Sequence, residues 1–354
     1  MSGDPWLPMF ARSIDVACTG FNSVDAARHL RFSAAMQDTP PLSDLDAMQY
    51  VTSSFYKLKE ADHAMASAEL GDLIRHVPGK RAIMTGVMNG RNVIFRLDFN
   101  DQDGTSNREW EEMLRLWPYM AEGDFRTAEP IYANPDLGLI VQEYVAGTPM
   151  LQHFWSIDTA ARAPYLGTAA AWLRKATAMT EGWRLSNPAG WIKRAAKASS
   201  QQPFPHLRAY EVDILDQMNR LSHAIEPENW RVGITHGDFH PNNLIVNGTR
   251  LTGIDTGGSR TMPLCKDMAR FLMHMGRRRV EFPGSLSYGV SQIGLDAFAA
   301  AFELQKHERD VVLPFFLAFE ALIRVENTGL SASRIKRAEK MYRDLLPDLA
   351  AIKI

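Results

Sequence analysis

Cysteine is scarce in this chain: Cys18 and Cys265 are the only two in 354 residues. Thiols so far apart in sequence suit neither a disulfide scaffold nor a metal knuckle, and a reducing, cytoplasmic setting is the expectation. Charge of one sign is not in excess either. The formal net charge is −2, so there is no basic field to draw a nucleic-acid polymer, and none is expected as a partner. No apolar run approaches the ~18–20 residues of a membrane span, so no span is expected. The opening MSGDPWLPMFARSIDVACTG lacks the basic start and apolar core of an export signal. Repeats, low-complexity tracts and a G-x-G-x-x-G loop are also missing.

What remains is an ordinary globular composition, 45% hydrophobic and 23% charged, in a chain long enough for two lobes. Residues 1–40 read as an extension with a helical stretch over 23–36, closed by DTPP at 38–41. Helices are predicted over 42–58 and 60–74, the second alanine-rich and ending before Pro78-Gly79. Strands are predicted over 81–88 and 91–99 around Asn89-Gly90, since both turn residues tolerate positive φ. A helix over 105–121 follows, with Thr105 or Ser106 as its cap. Two more strands, 128–133 and 138–145, flank Asn134-Pro135-Asp136. Beyond AGTP at 146–149 helices dominate, Pro164–Met179 and 208–225 being the clearest, while the proline-broken stretch 186–206 reads as irregular. Arg277-Arg278-Arg279 reads as a solvated helix end.

One stretch stands apart: THGDFHPNNLIV, residues 235–246. A second Asn-Gly pair, Asn247-Gly248, follows it inside another apolar hairpin pattern. With that pair as the turn, Leu244 faces Leu251 and Asn243 faces Thr252. Asn243 then ends one strand, Asp255 lies just past the other, and Asp238 sits in the loop feeding the first. Two carboxylates and an amide oxygen gather at one edge. Hard cations such as Mg²⁺ take oxygen ligands, one or two from the protein and the rest from phosphates. Asn243 and Asp255 suit that pair. Asp238 is left to accept a proton from an incoming hydroxyl, the division of labour of phosphoryl transfer. The alternation of His236, Asp238 and His240 supports a second reading, a transition-metal site, which leaves Asn243 and Asp255 without a role.

The string His236-Gly237-Asp238-Phe239-His240-Pro241-Asn242-Asn243 has the H-x-D-x-x-x-x-N spacing of a kinase catalytic loop. With the apolar strand and Ile254-Asp255 after it, it resembles the aminoglycoside phosphotransferase and choline kinase superfamily. The resemblance implies that Asp238 is the catalytic base, that His236 supports the loop, and that Asn243 and Asp255 bind Mg²⁺. It places Arg96, in VIFRLDF, where the family's strand lysine falls, with Glu109 as its ion-pair partner and Glu112 next in line. Arginine is a departure: its fork suits phosphates but is bulkier than lysine. Gly79, in Pro78-Gly79-Lys80-Arg81, reads as a shortened nucleotide loop. GLIVQEYVAGTP, residues 138–149, resembles the hinge, where adenine would meet backbone groups of Glu143 and Val145. Asp267, in PLCKDMA, resembles a residue that opens a helix and braces the loop. Thr256-Gly257-Gly258 departs from the aromatic-acid pair common after the metal aspartate.

These readings imply an α+β, bilobal, protein-kinase-like fold: an antiparallel N-lobe sheet with a helix, then a mostly helical C-lobe carrying a small catalytic hairpin. The expected boundaries are a helical extension over 1–65, the N-lobe over 66–145 and the C-lobe over 146–354. The expected activity is ATP-dependent, Mg²⁺-assisted phosphotransfer to a hydroxyl of a small molecule, such as an amino sugar, amino alcohol or sugar. The alternatives are a nucleotide-binding pseudokinase and a metal-dependent hydrolase using His236, Asp238 and His240. An aminoglycoside site should be acid-rich and a choline site aromatic. Glu320 and Glu326 supply acids, and Trp155, Trp183 and Trp191 supply rings, with no placement legible.

Overall fold

The computed structural model describes residues 44–99, 104–226 and 228–354. The helix expected over 23–36 lies outside them. The chain divides into two compact units, the first holding the described residues up to Leu114 together with Glu129–Tyr144, the second Arg115–Ala128 and Val145–Ile354.

The first unit opens with helix α1, Asp44–Ala61. It ends where Asp62 accepts hydrogen bonds from Tyr132 (2.6 Å) and Asn134 (2.8 Å). The helix expected over 60–74 is not formed. Its alanine-rich start makes only a short 3-10 turn, His63–Met65, and Glu69–Val77 is strand β1. Pairing with a neighbouring strand overrides local propensity here. Strands β2, Arg81–Met88, and β3, Arg91–Asp98, follow. They meet at Asn89-Gly90, both at positive φ, as a two-residue hairpin demands. Helix α2 runs Thr105–Met120. Ser106 does not cap it; its hydroxyl donates to Asp98 at 2.6 Å. After β4, Phe125–Thr127, which belongs to the second unit, come β5, Pro130–Asn134, and β6, Leu139–Glu143. The antiparallel sheet has the order β1-β2-β3-β6-β5. Val51 and Phe55 of α1 pack with Met84, Val93, Phe95 and Val141 in one core. Phe55 meets Phe95 edge-on at 5.1 Å, and burying each ring contributes about 1.5–3 kcal/mol.

The second unit is mainly helical. After β7, Thr148–Pro149, come α3, Met150–Ser156, and α4, Thr159–Thr177, which begins earlier than Pro164. Strand β8, Gly182–Leu185, leads to α5, Ala189–Ser199, where irregular chain was expected. The prolines flank this helix rather than interrupt it: Pro188 precedes its first turn, where a missing N–H costs nothing. Helix α6, Pro205–Ile225, strand β9, Asn229–Thr235, strands β10, Leu244–Asn247, and β11, Arg250–Gly253, and strand β12, Arg260–Pro263, carry the motif region. Helices α7, Leu264–Arg278, α8, Gln292–Phe302, α9, Leu313–Leu322, and α10, Ala332–Ala351, complete the unit. Among the described residues no helix is long and apolar enough to cross a membrane.

The second Asn-Gly pair behaves unlike the first. Asn247 pairs with Arg250, so the turn is Gly248-Thr249 and each partner lies two residues beyond the expected one, Leu244 facing Gly253 rather than Leu251. Only Gly248 takes positive φ there, +61°. Asn247 stays in the strand and donates its side-chain amide to the Ala146 carbonyl at 3.2 Å. The correction sets Asn243 beside Ile254, whose N–H donates to the Asn243 carbonyl at 3.0 Å. Gly253 lets this hairpin approach the core: a Cβ there would lie 2.0 Å from the Trp172 ring. Trp172 in turn donates to the Arg126 carbonyl at 2.6 Å and stacks on Phe239 with centroids 5.7 Å apart.

Candidate active site

The loop between β9 and β10 is anchored by Phe239, a fully buried ring that also stacks on Phe271 at 5.3 Å. This anchor fixes its neighbours, Asp238 and His240. His236 is buried, and its Nε2 donates to the carbonyl of Ile254 at 3.0 Å. Because a carbonyl only accepts, Nε2 carries the proton. The bond ties the loop to the residue before Asp255. Asp255 itself has φ of +60°, an uncommon conformation for a non-glycine residue and one that clusters at functional sites. The side-chain amide of Asn243 donates to the carbonyl of Asp238 at 3.0 Å. The atom Asn243 retains for a cation is therefore its side-chain oxygen. Bonds from His236, Asn243 and Ile254 thus join the segments carrying Asp238, Asn243 and Asp255.

Helix α7 clamps the same loop. Asp267 Oδ2 accepts from the Gly237 N–H at 2.9 Å, and Lys266 Nζ donates to the Gly237 carbonyl at 2.6 Å. Asp267 thus braces the loop through the backbone, from inside the first turn of the helix. Arg270, on the next turn, is a site residue that spacing did not reveal. It is buried, and its guanidinium holds Asp238 Oδ1 through Nε at 3.0 Å and through Nη2. Its Nη1 faces Glu320 at 3.6 Å. Arg324 lies 3.7 Å from the same Asp238 oxygen, and His240 Nε2 lies 3.4 Å from Oδ2. Burial alone would raise the Asp238 pKa. The Arg270 charge, the His240 hydrogen bond and the Lys266 charge outweigh it and hold the carboxyl well below the usual range. His240 is pushed the other way, below the ordinary histidine value, mainly by burial and against the pull of Asp238. Its ring stacks on His274 at 4.7 Å.

Two proposed metal ligands of the hydrolase reading are thus turned elsewhere, His236 to a carbonyl and His240 to Asp238. Among the described residues no group of three or more His, Cys, Asp or Glu could hold a metal ion. One carboxylate and one amide oxygen, Asp255 and Asn243, fit instead a hard cation whose remaining ligands come from phosphate.

In the first unit, Arg96 sits in the central strand β3, 4% exposed. Its Nη1 pairs with Glu109, and its Nε pairs with Asp98 at 2.8 Å. Glu109 on α2 is thus an acid that holds Arg96. Asp98 also receives Arg81 at 2.9 Å. Burial raises the Asp98 pKa, but Arg96, Arg81 and the Ser106 hydroxyl bring it below the usual range. Arg81 directly follows the exposed turn Pro78–Lys80, where Gly79 takes φ of +67° between β1 and β2. That turn follows a strand, β1, which the sequence pattern did not show. Glu143 closes β6; its N–H donates to the Glu129 carbonyl at 3.0 Å, and its carboxylate accepts from the Glu129 N–H at 3.1 Å. Val145 lies just past the strand, half-buried and outside any ladder. Arg277 corrects the solvated helix end: it donates to the carbonyls of Arg324 (2.8 Å) and Ala321 (2.7 Å) and pairs with Glu326.

An antiparallel N-terminal sheet, a helical C-terminal part and this loop define a kinase-like phosphotransferase fold. A sequence model described as the phosphotransferase enzyme family matches residues 90–300, and the chain belongs to that family. Among solved structures, it is similar to a Ralstonia eutropha JMP134 protein provisionally assigned as an aminoglycoside phosphotransferase, at 16% identity and TM-score 0.57, over 86% of this chain and 99% of that one. A choline/ethanolamine kinase family protein from Mesorhizobium loti matches at 14% identity and TM-score 0.57, over 84% and 98%. Amicoumacin kinase hAmiN, solved with AMP-PNP, Ca²⁺ and Ami, matches at 11% identity and TM-score 0.54, over 84% and 96%. No protein with a curated function matches the chain.

Proposed function

We propose that this protein is an ATP-dependent O-phosphotransferase acting on a hydroxyl of a small molecule. The observation that carries the reading is the hydrogen-bonded join of Asp238, Asn243 and the residue preceding Asp255. A nucleotide analogue and a divalent cation occupy hAmiN, a relative of the same fold, and support a nucleotide here.

In this reading Asn243 and Asp255 hold Mg²⁺, which when bound neutralises charge on the nucleotide phosphates. Arg96 is the phosphate cation of the first unit, Gly79 the turn over the phosphates, and Glu109 the acid that sets the angle of Arg96. Backbone groups of Glu143 and Val145 receive the adenine. Asp238 orients the acceptor hydroxyl. As the hydroxyl oxygen bonds to the γ-phosphorus, the bond from phosphorus to the bridging oxygen breaks and ADP leaves. The hydroxyl proton passes to the Asp238 carboxylate. An aspartate with so low a pKa is a weak base, and it suits a proton that moves late, when the loose transition state has made the hydroxyl acidic. His236 holds the loop and touches no substrate. A pseudokinase is the second reading, favoured by the two carboxylates already engaging Arg96.

The test is ATP consumption over a panel of hydroxylated acceptors, for the wild type and Asp238→Asn. Turnover that falls at least ~10²-fold while nucleotide binding persists fits the assigned base. Nucleotide binding with no turnover on any acceptor selects the pseudokinase.

A further inference from the structure

Helix α9 ends beside the catalytic loop. Its Glu320 stands behind Arg270 at 3.6 Å and Lys266 at 3.8 Å. Arg324 lies one turn further on, two residues past the end of the helix. Its Nη2 is 3.7 Å from Asp238 Oδ1, the oxygen that Arg270 already grips. An arginine side chain gives up much rotamer freedom to stay in one place. This pair is 30% exposed on both sides, so its aim depends on how firmly the Arg324 backbone is held.

Arg277 of α7 holds that backbone at three points. Its Nη2 donates to the Ala321 carbonyl at 2.7 Å, its Nη1 donates to the Arg324 carbonyl at 2.8 Å, and it pairs with Glu326. The three points bracket Arg324: one before it, one on it and one after it. Carbonyls at a helix end lack partners within the helix, and a cation is favoured at that end of the dipole. The grip is itself fixed from behind. The Arg277 guanidinium lies 5.9 Å from the ring centroid of Tyr342 on α10. The Tyr342 hydroxyl donates to Glu211 on α6 at 2.9 Å and lies 3.2 Å from the same Ala321 carbonyl. Glu211 is fully buried and also accepts from Gln202 at 2.7 Å. Arg270 and Arg277 stand seven residues apart on α7, two turns along one face. One helix therefore reaches Asp238 twice, directly through Arg270 and indirectly through the end of α9.

We propose that Arg277 is a positioning residue for Asp238: by holding the end of α9 it delivers the Arg324 guanidinium to the aspartate oxygen that Arg270 grips. The inference rests on the phosphotransfer reading, in which Asp238 is the reacting carboxylate. An Arg277 that only stabilised the fold would act on turnover independently of Arg324.

A double-mutant cycle separates the two. Arg324→Gln and Arg277→Met should each lower kcat about 2–5-fold, the worth of a partly exposed ion pair, and leave the KM for ATP alone. The double variant should lose no more than Arg324→Gln alone, because nothing is left to deliver. Should Arg277→Met fail to fold, Arg277→Lys keeps the charge without the fork and takes its place. A second arm needs no turnover. The Arg324 Nε–H resonance, assigned by its loss in Arg324→Gln, should shift on Asp238→Asn in the wild-type background and stay in place in the Arg277→Met background. Unchanged kcat in either single variant, losses that multiply in the double variant, or an Arg324 resonance that answers Asp238→Asn with or without Arg277 overturns the inference. A wild type that turns over no acceptor while the resonance behaves as expected upholds the placement and sinks the phosphotransfer reading. Turnover that collapses in Asp238→Asn, with losses that multiply, does the reverse.

Discussion

Arg96 and Arg270 are the same device used twice. Each is a buried arginine, 4% and 2% exposed, held between two carboxylates. Arg96 lies between Asp98 and Glu109, Arg270 between Asp238 and Glu320. The difference lies in the carboxylates. Side chains of Asp98 and Glu109 are 8% and 3% exposed, and Arg81 and Ser106 close the cluster further. Asp238 is 30% exposed while Glu320, at 3%, is sealed. The first cluster is a dry brace between strand and helix. The second has one end in the dry interior and the other at the solvent-exposed Asp238, so its interior charge holds an exposed aspartate in one orientation.

That contrast can be broken in four ways, from the largest effect down. Asp238→Asn removes the exposed end and should lower kcat by about 10²–10⁴-fold, with binding of the nucleotide retained; unchanged kcat would make the two clusters equivalent braces. Replacing either arginine by methionine strands two carboxylates and should cost about 3–5 kcal/mol of stability, read by denaturant titration. The two should then part in kinetics: Arg96→Met raises the KM for ATP, whereas Arg270→Met lowers kcat and leaves that KM alone.

Acidification comes next. Burial holds His240 and His274 below the ordinary histidine pKa of 6.5, His274 well below. Below that pH the unfolded chain takes up protons that the folded chain refuses, so stability is full above it and declines as pH falls through it. Thermal unfolding at pH 7.5 and 5.5 should show a lower Tm at the acid value, and His274→Phe should flatten the dependence. Asp238 works in the opposite sense. Its depressed pKa stabilises the fold above the usual aspartate range and is lost only well below it, so it puts no acid limb on kcat above pH ~5. Smallest is Gly248→Ala at the hairpin turn, where nothing lies within 4 Å and only the positive φ resists. A loss of about 1 kcal/mol with no change in kcat is expected.

The site was legible in sequence where its parts are local. His236, Asp238, Asn243 and Asp255 span one loop and one hairpin, so spacing and pairing bring them together. The pairing of Arg96 with a helix acid was reached through the family resemblance alone, since spacing left Glu109 and Glu112 both open. Arg270, Lys266, Glu320 and Arg324 were not legible, because they meet Asp238 only when α7 and α9 pack, and no short spacing encodes that. Strand β1 was missed because its partner β2, not its own pattern, makes it a strand. The hairpin register slipped because Asn247 found a better use for its amide, on Ala146, than positive φ.

Gly237 and Gly258 touch backbone to backbone: a Cβ on Gly237, at φ +81°, would lie 2.0 Å from the Gly258 carbonyl oxygen. The two glycines therefore act as a pin through adjacent hinges, one leaf carrying Asp238 and the other Asp255. A side chain at 237 would pry both leaves at once. On the proposed phosphotransfer reading, its damage would show as one joint failure of hydroxyl aim and cation grip, which no compensating change at a single aspartate could repair.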